Sequence, residues 1–153
     1  MIYNHQLDKF RITSVETLNN CMFGGNGFVA LVAPSMKCHS YRFHKPKNSS
    51  DFPDDVIFVS VLHEDKYFYI GMIEERRFRL TRNSRFDEDT ESVKGAKYLM
   101  DIANKPEMFK STSMKMYHSG RCAVCGRKIR SEKGIEHGVG TKCLCKIRAK
   151  LGV

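Results

Sequence analysis

No stretch of the 153-residue sequence carries the roughly 18 consecutive apolar residues that a membrane-spanning helix needs. The longest apolar run, GFVALVAP at 27–34, is cut short by Pro34. The start, MIYNHQLDKF, lacks the basic head and apolar stretch of a secretory signal, so the expected compartment is the cytoplasm. Internal repeats and low-complexity tracts are missing too, and 41% hydrophobic with 28% charged residues is a globular rather than a disordered composition. Negative charge is scarce in one place. Residues 115–153 hold ten basic and only two acidic side chains, against sixteen and fifteen in residues 1–114, so nearly all of the net +9 belongs to the C-terminal segment.

That segment also holds four of the six cysteines, all between Cys122 and Cys145. In a reducing compartment close-set cysteines read as metal ligands rather than disulfides. Cys21 and Cys38 stand apart and read as small buried apolar side chains.

The length suits one ordinary domain, or one domain with a small accessory module. Strand-period patterning is read at FRITSVETL (10–18), GFVALVAP (27–34) after a GGNG turn, and CHSYRFHKP (38–46), followed by a polar loop over 45–55. VIFVSVL (56–62), YFYIGMI (67–73) and FRLTR (78–82) are joined by HEDK and EERR, connectors of hairpin size, which predicts an antiparallel meander. From about Ser92 the period becomes helical through Val93, Ala96, Leu99, Met100 and Ala103. Thr90 or Ser92 is the expected cap and Pro106 the stop. A linker, EMFKSTS, then precedes a short strand at 114–118. The predicted class is α+β: an antiparallel sheet with one covering helix near 92–104 in a domain spanning 1–110, then a treble-clef-like zinc module over 114–153.

Within the module, Cys122-Ala-Val-Cys125-Gly126-Arg127 has the form of a zinc knuckle, two thiolates two residues apart with a glycine that permits the tight turn. Cys143-Leu144-Cys145 follows at a spacing that suits a tetrahedral site. Between the pairs, KIRSEKGIEHGVG reads as a hairpin, and TKCLCKIRAKL as a helix that Thr141 could cap. Knuckle, hairpin, ligand at a helix start is the order of a treble clef. C-x-C on a regular helix points its side chains about 200° apart. Either the helix therefore starts after Cys143, or one thiol is not a ligand and His118 or His137 takes the fourth position.

YHSGRCAVCGRKI followed by GIEHGVGTKC resembles the C-terminal module of a family of small phage and bacterial proteins of unassigned function. That module runs His, Gly-Arg-Cys-x-x-Cys-Gly-Arg, then Gly-x-Gly-x-x-Cys. YFYIGMI, FRLTRNSRF and the helix after them are similar to the same family, more loosely. The resemblance implies a zinc module, a phage context and hence a host cytoplasm, with His118, Cys122, Cys125 and Cys143 at the recurring positions. It favours His118 over Cys145 as fourth ligand. The chain departs from the pattern in its extra Cys145 and in RSEKG, where the family tends to have a Thr-x-Pro-x-Ser turn.

A site closed by four protein ligands is structural, and for about forty residues the ion replaces a core too small to hold itself. No nucleophile with an adjacent base, and no framed pair of carboxylates, accompanies it, so the expected protein is not an enzyme. The basic residues Arg121, Arg127, Lys128, Arg130, Lys142, Lys146, Arg148 and Lys150, with Lys133, predict phosphate contact with little base readout, to DNA or RNA. Two other functions compete: a factor that binds an acidic surface of a host protein in transcription or defence, and a treble-clef nuclease with His137 as base. The last is weakened because KIRAKLGV offers no His, Asn, Asp or Glu as a second metal ligand.

Overall fold

The computed structural model describes residues 5–46 and 56–151, so most of the loop expected over 45–55 lies outside the described residues. Six strands form one antiparallel sheet: β1 (Asn26–Val32), β2 (Cys38–His44), β3 (Ile57–His63), β4 (Lys66–Glu74), β5 (Arg77–Leu80) and β6 (Lys115–His118), in the order β5-β4-β3-β2-β1-β6. The predicted meander is present. Its two connectors are tight turns in which Glu64 and Asp65, and again Glu75 and Arg76, take positive φ, the backbone that matches the twist of a two-residue hairpin.

The stretch expected as a strand at 10–18 is helical instead. A 3-10 turn covers His5–Phe10 and α1 spans Val15–Phe23. Ser14 caps α1, its hydroxyl accepting from the Thr17 amide at 3.1 Å. Thr17, Leu18, Cys21 and Met22 are its buried residues, a spacing of three and four that outweighs the loose alternation at 10–15.

The helix expected near 92–104 is α2 (Glu91–Asn104), and it shares the covering of the sheet with α1. Thr90 stands at its N-cap position but sends its hydroxyl to the Asp87 carbonyl at 2.6 Å. Pro106 opens a further helix, α3 (Pro106–Ser111), where a linker was expected; a proline at a first helical position gives up only an amide that would be unpaired anyway. The core between helices and sheet holds Leu18 and Met22, Leu99 and Ile102, and the strand residues Val29, Tyr41, Phe43, Val59 and Ile70.

β6, expected to open the separate module, is a sheet strand. It pairs with β1 from Val29↔His118 to Val32↔Lys115, and its far edge is bridged by Arg11 and Ile12. The cysteine segment therefore grows directly out of the sheet. Among the described residues no helix is long and apolar enough to cross a membrane.

Candidate metal centre

After β6 the chain turns through Gly120 and Gly126, both at positive φ, and folds back as a small knuckle. The Cys122 amide donates to the Arg127 carbonyl at 2.8 Å, the Gly126 amide to the Cys122 carbonyl at 2.9 Å and the Ile129 amide to the Gly120 carbonyl at 2.9 Å. The segment expected as a hairpin is instead a short helix, α4 (Glu132–His137). Ser131 caps it by accepting from the Gly134 amide at 3.0 Å, and Gly138 ends it in the left-handed conformation. These two local signals, a serine before the turn and a glycine after it, favour a helical turn over a strand pair. α5 (Thr141–Leu151) follows, with Cys143 in its first turn.

The knuckle is anchored on both sides. The Asn26 amide donates to the Ala123 carbonyl at 2.7 Å, and the Ala123 amide to the Gly138 carbonyl at 3.0 Å. A second small core, Cys122, Ala123, Ile129, Val139 and Leu144, lies beneath.

Three thiols meet here. The Sγ atoms of Cys122, Cys125 and Cys143 lie within 4.8 Å of one another, a group that could hold a metal ion. Thiolates bound tetrahedrally to zinc at about 2.3 Å stand about 3.8 Å apart, so the donor set fits zinc with little closure. Burial works against ionising Cys122, but hydrogen bonds from the amides of Cys125, Gly140 and Val124 and from the Cys125 side chain outweigh it and hold its thiol below the usual range. Burial, then Cys122 and Cys125 beside it, pushes the Cys143 thiol up to about 11. Three sulfurs this close resist joint ionisation unless a cation offsets them, which is what a divalent metal does.

The other candidate ligands are placed elsewhere. His118 is buried with both ring nitrogens engaged: Nε2–H donates to the Ile135 carbonyl at 2.6 Å and Nδ1 accepts from the Gly120 amide at 3.0 Å. No lone pair is left for a metal. Burial holds its pKa low, opposed in part by the Ile135 contact. His137 is also engaged, Nδ1 on the Lys133 carbonyl at 2.9 Å and Nε2 facing Arg148 at 3.4 Å. α5 already includes Cys143, so Cys145 turns away on the same helix; it is exposed and outside the three-thiol group. Cys21 is a core thiol as expected, pushed up to about 12 by burial, with Cys122 adding to the effect.

The three cysteines line a cleft of about 630 Å³ that also receives Arg127, Lys128, Arg130, Lys142 and Lys146. Arg121 and Arg148 are elsewhere. Arg121 donates to the Gly126 carbonyl at 3.3 Å, and Arg148 is drawn to α1, 4.0 Å from Glu16. The Lys150 side chain lies outside the described residues. Sequence reasoning missed the part played by α1, whose Thr17 and Asn20 bond to the carbonyls of Glu136 and His137 at 2.8 and 3.1 Å. The signal was the Ser-x-x-Thr start of that helix at 14–17.

No protein-family model, no curated protein and no solved structure matches this chain.

Proposed function

We infer that the chain is a non-enzymatic nucleic-acid-binding protein whose C-terminal segment is organised by a zinc ion on Cys122, Cys125 and Cys143. The observation that carries this is the convergence of five cationic side chains on the cleft that the three thiols line. Zinc with three thiolates contributes about −1, so the cleft stays cationic and suited to phosphate. When bound, the ion would supply a cross-link between knuckle and helix start. That order is the one a treble clef uses, with α4 in place of the hairpin.

Three protein ligands also occur in catalytic zinc sites. Here the described lining of the cleft contains no His, Asp or Glu to act as a base, and His137 is held by Lys133 and Arg148, which favours binding over hydrolysis. An accessory role in a phage or bacterial setting is part of this proposal and rests on the resemblance of the cysteine motif alone.

The test is binding to random-sequence oligonucleotides across a salt series. Affinity should fall steeply, by a slope of about 0.9 in log–log units for each duplex phosphate neutralised. Replacing Arg130 and Lys142 by glutamate should weaken binding for every sequence alike. Failure to retain any nucleic acid at low salt overturns the reading, and a stoichiometric protein captured from nuclease-treated lysate would replace it with protein docking.

A further inference from the structure

α1 and α2 pack on one face of the sheet, and the other face carries a different chemistry. Two rows of side chains cross it: Asn26, His44, Phe58, Met72 and Arg79 from β1 to β5, and Phe28, Arg42, Ser60 and Tyr69 from β1 to β4. Their neighbours along each strand, among them Val29, Phe43, Val59 and Ile73, point into the core. The rings on the outer face meet edge to face: His44 and Phe58 at 5.6 Å, Phe58 and Tyr69 at 5.6 Å, Phe28 and Tyr67 at 5.7 Å between centroids. Tyr67 is 39% exposed and the other rings are half-buried.

Packing between neighbouring strands explains aromatic pairs on a wet face by itself. It does not explain Arg42. That arginine lies half-buried in the middle of the rings, and its Nε is buried with no hydrogen-bond partner among the described residues; Nδ1 of the adjacent His44 is in the same state. A buried donor left unsatisfied costs on the order of 1–3 kcal/mol, a cost removed when the half-buried Arg42 side chain turns outward and a ligand oxygen completes the bond. The charge of the face is also one-sided. Arg42, Arg77 and Arg79 share it with a single described carboxylate, Glu74, which is paired to Arg79 at 3.6 Å.

We propose that this open sheet face is a second binding surface, for single-stranded nucleic acid, with bases stacked on the rings of Phe28, Phe58, Tyr67 and Tyr69 and a phosphate or base oxygen received by Arg42. Unstacked bases present the flat faces that such rings accept, whereas a duplex hides them, so the occupant is a single strand. The surface is continuous with the knuckle: Asn26 ends one row, and a side chain at Gly126, next to Arg127, would meet the Asn26 side-chain Nδ2 at 2.5 Å. A strand lying on the rings therefore reaches the cationic knuckle without crossing the helical layer. The proposal concerns a surface separate from the cleft, and it can fail while the cleft's phosphate binding stands.

The experiment is fluorescence anisotropy of the full chain with labelled oligo(dT), oligo(U) and a duplex of equal length. The single strands should bind tighter than the duplex. Tyr67→Ala and Phe58→Leu should each weaken single-strand binding by about fivefold to a hundredfold, the range for losing one stacked base, while leaving duplex binding unchanged. Tyr67→Ala removes the most exposed ring and spares the core. Ultraviolet cross-linking of unaltered protein should place the cross-linked peptide on β3 or β4. Equal single-strand affinity in both variants, cross-links confined to 120–150, or a concentration-dependent dimer abolished by Tyr67→Ala would each overturn the proposal.

Discussion

The Thr17 hydroxyl donates a 2.8 Å hydrogen bond to the Glu136 carbonyl, joining the first helix to the cysteine segment across 119 residues of sequence. Thr17 is 2% exposed, so the bond is made out of water, where a missing donor is not replaced. Thr17→Val keeps the shape of the side chain and removes the donor. It should cost about 1–3 kcal/mol in denaturant unfolding and speed amide exchange over 131–140. Unchanged exchange there would separate α1 from the integrity of the site.

Metal retention distinguishes the three grouped thiols from their neighbours. Elemental analysis of protein purified without added metal should find stoichiometric zinc. Cys122→Ser, Cys125→Ser and Cys143→Ser should each lose it, while Cys145→Ser keeps it. His118→Ala should also keep it, but with lowered stability, because Ile135 and Gly120 lose their partner. Zinc release on changing His118 alone would show that the ring turns toward the ion when metal binds.

Gly95 faces the Tyr41 hydroxyl so closely that a methyl group there would collide with it, and that hydroxyl donates to the Ser92 carbonyl at 2.5 Å. In an open helix Gly→Ala gains up to about 1 kcal/mol. Here Gly95→Ala should instead destabilise by about 1–3 kcal/mol, and adding Tyr41→Phe should recover part of the loss. A thermal melt of the four proteins in this cycle decides the sign.

Acid sensitivity follows from two histidines. Burial, then Arg42 beside it, holds His44 below its ordinary pKa, and burial does the same for His118. The unfolded chain takes up these protons near about pH 6.5 and the folded chain only at lower pH. The stability these rings contribute is thus complete above about pH 6.5 and is lost as the pH falls through the lowered values. Urea midpoints should decline over that window, and His44→Asn, which leaves the cysteines untouched, should flatten part of the decline. A midpoint independent of pH below neutrality would contradict it.

The meander, α2 and the three grouped cysteines were legible because each is written within a short window. Apolar runs joined by short charged connectors of hairpin size, a 3.6-residue stripe, and C-x-x-C-G-R followed by a cysteine at a helix start need no distant partner to be recognised. α1 was misread because Phe10, Ile12 and Ser14 alternate just before a helical face that becomes evident only with Cys21 and Met22. α4 was misread because glycines at both ends of GIEHG suit a hairpin as well as a helical turn, and the Ser131 cap with Val139 in the small core decides for the turn.

By itself the sequence determined the three-stranded meander, the three sulfurs able to share an ion and the excess of positive charge around them, since all of these depend on residue type and local spacing. Tertiary structure alone decided that His118 bonds to backbone on both sides, that Arg148 turns to α1, that β6 completes the sheet and that the rings of four strands share its uncovered face. Each of these outcomes depends on which groups the folded backbone brings together: the sheet strand and the short helix α4 around His118, the two helices at Arg148, or neighbouring strands. Burial and the pairing of polar atoms set those meetings, and no local pattern records them.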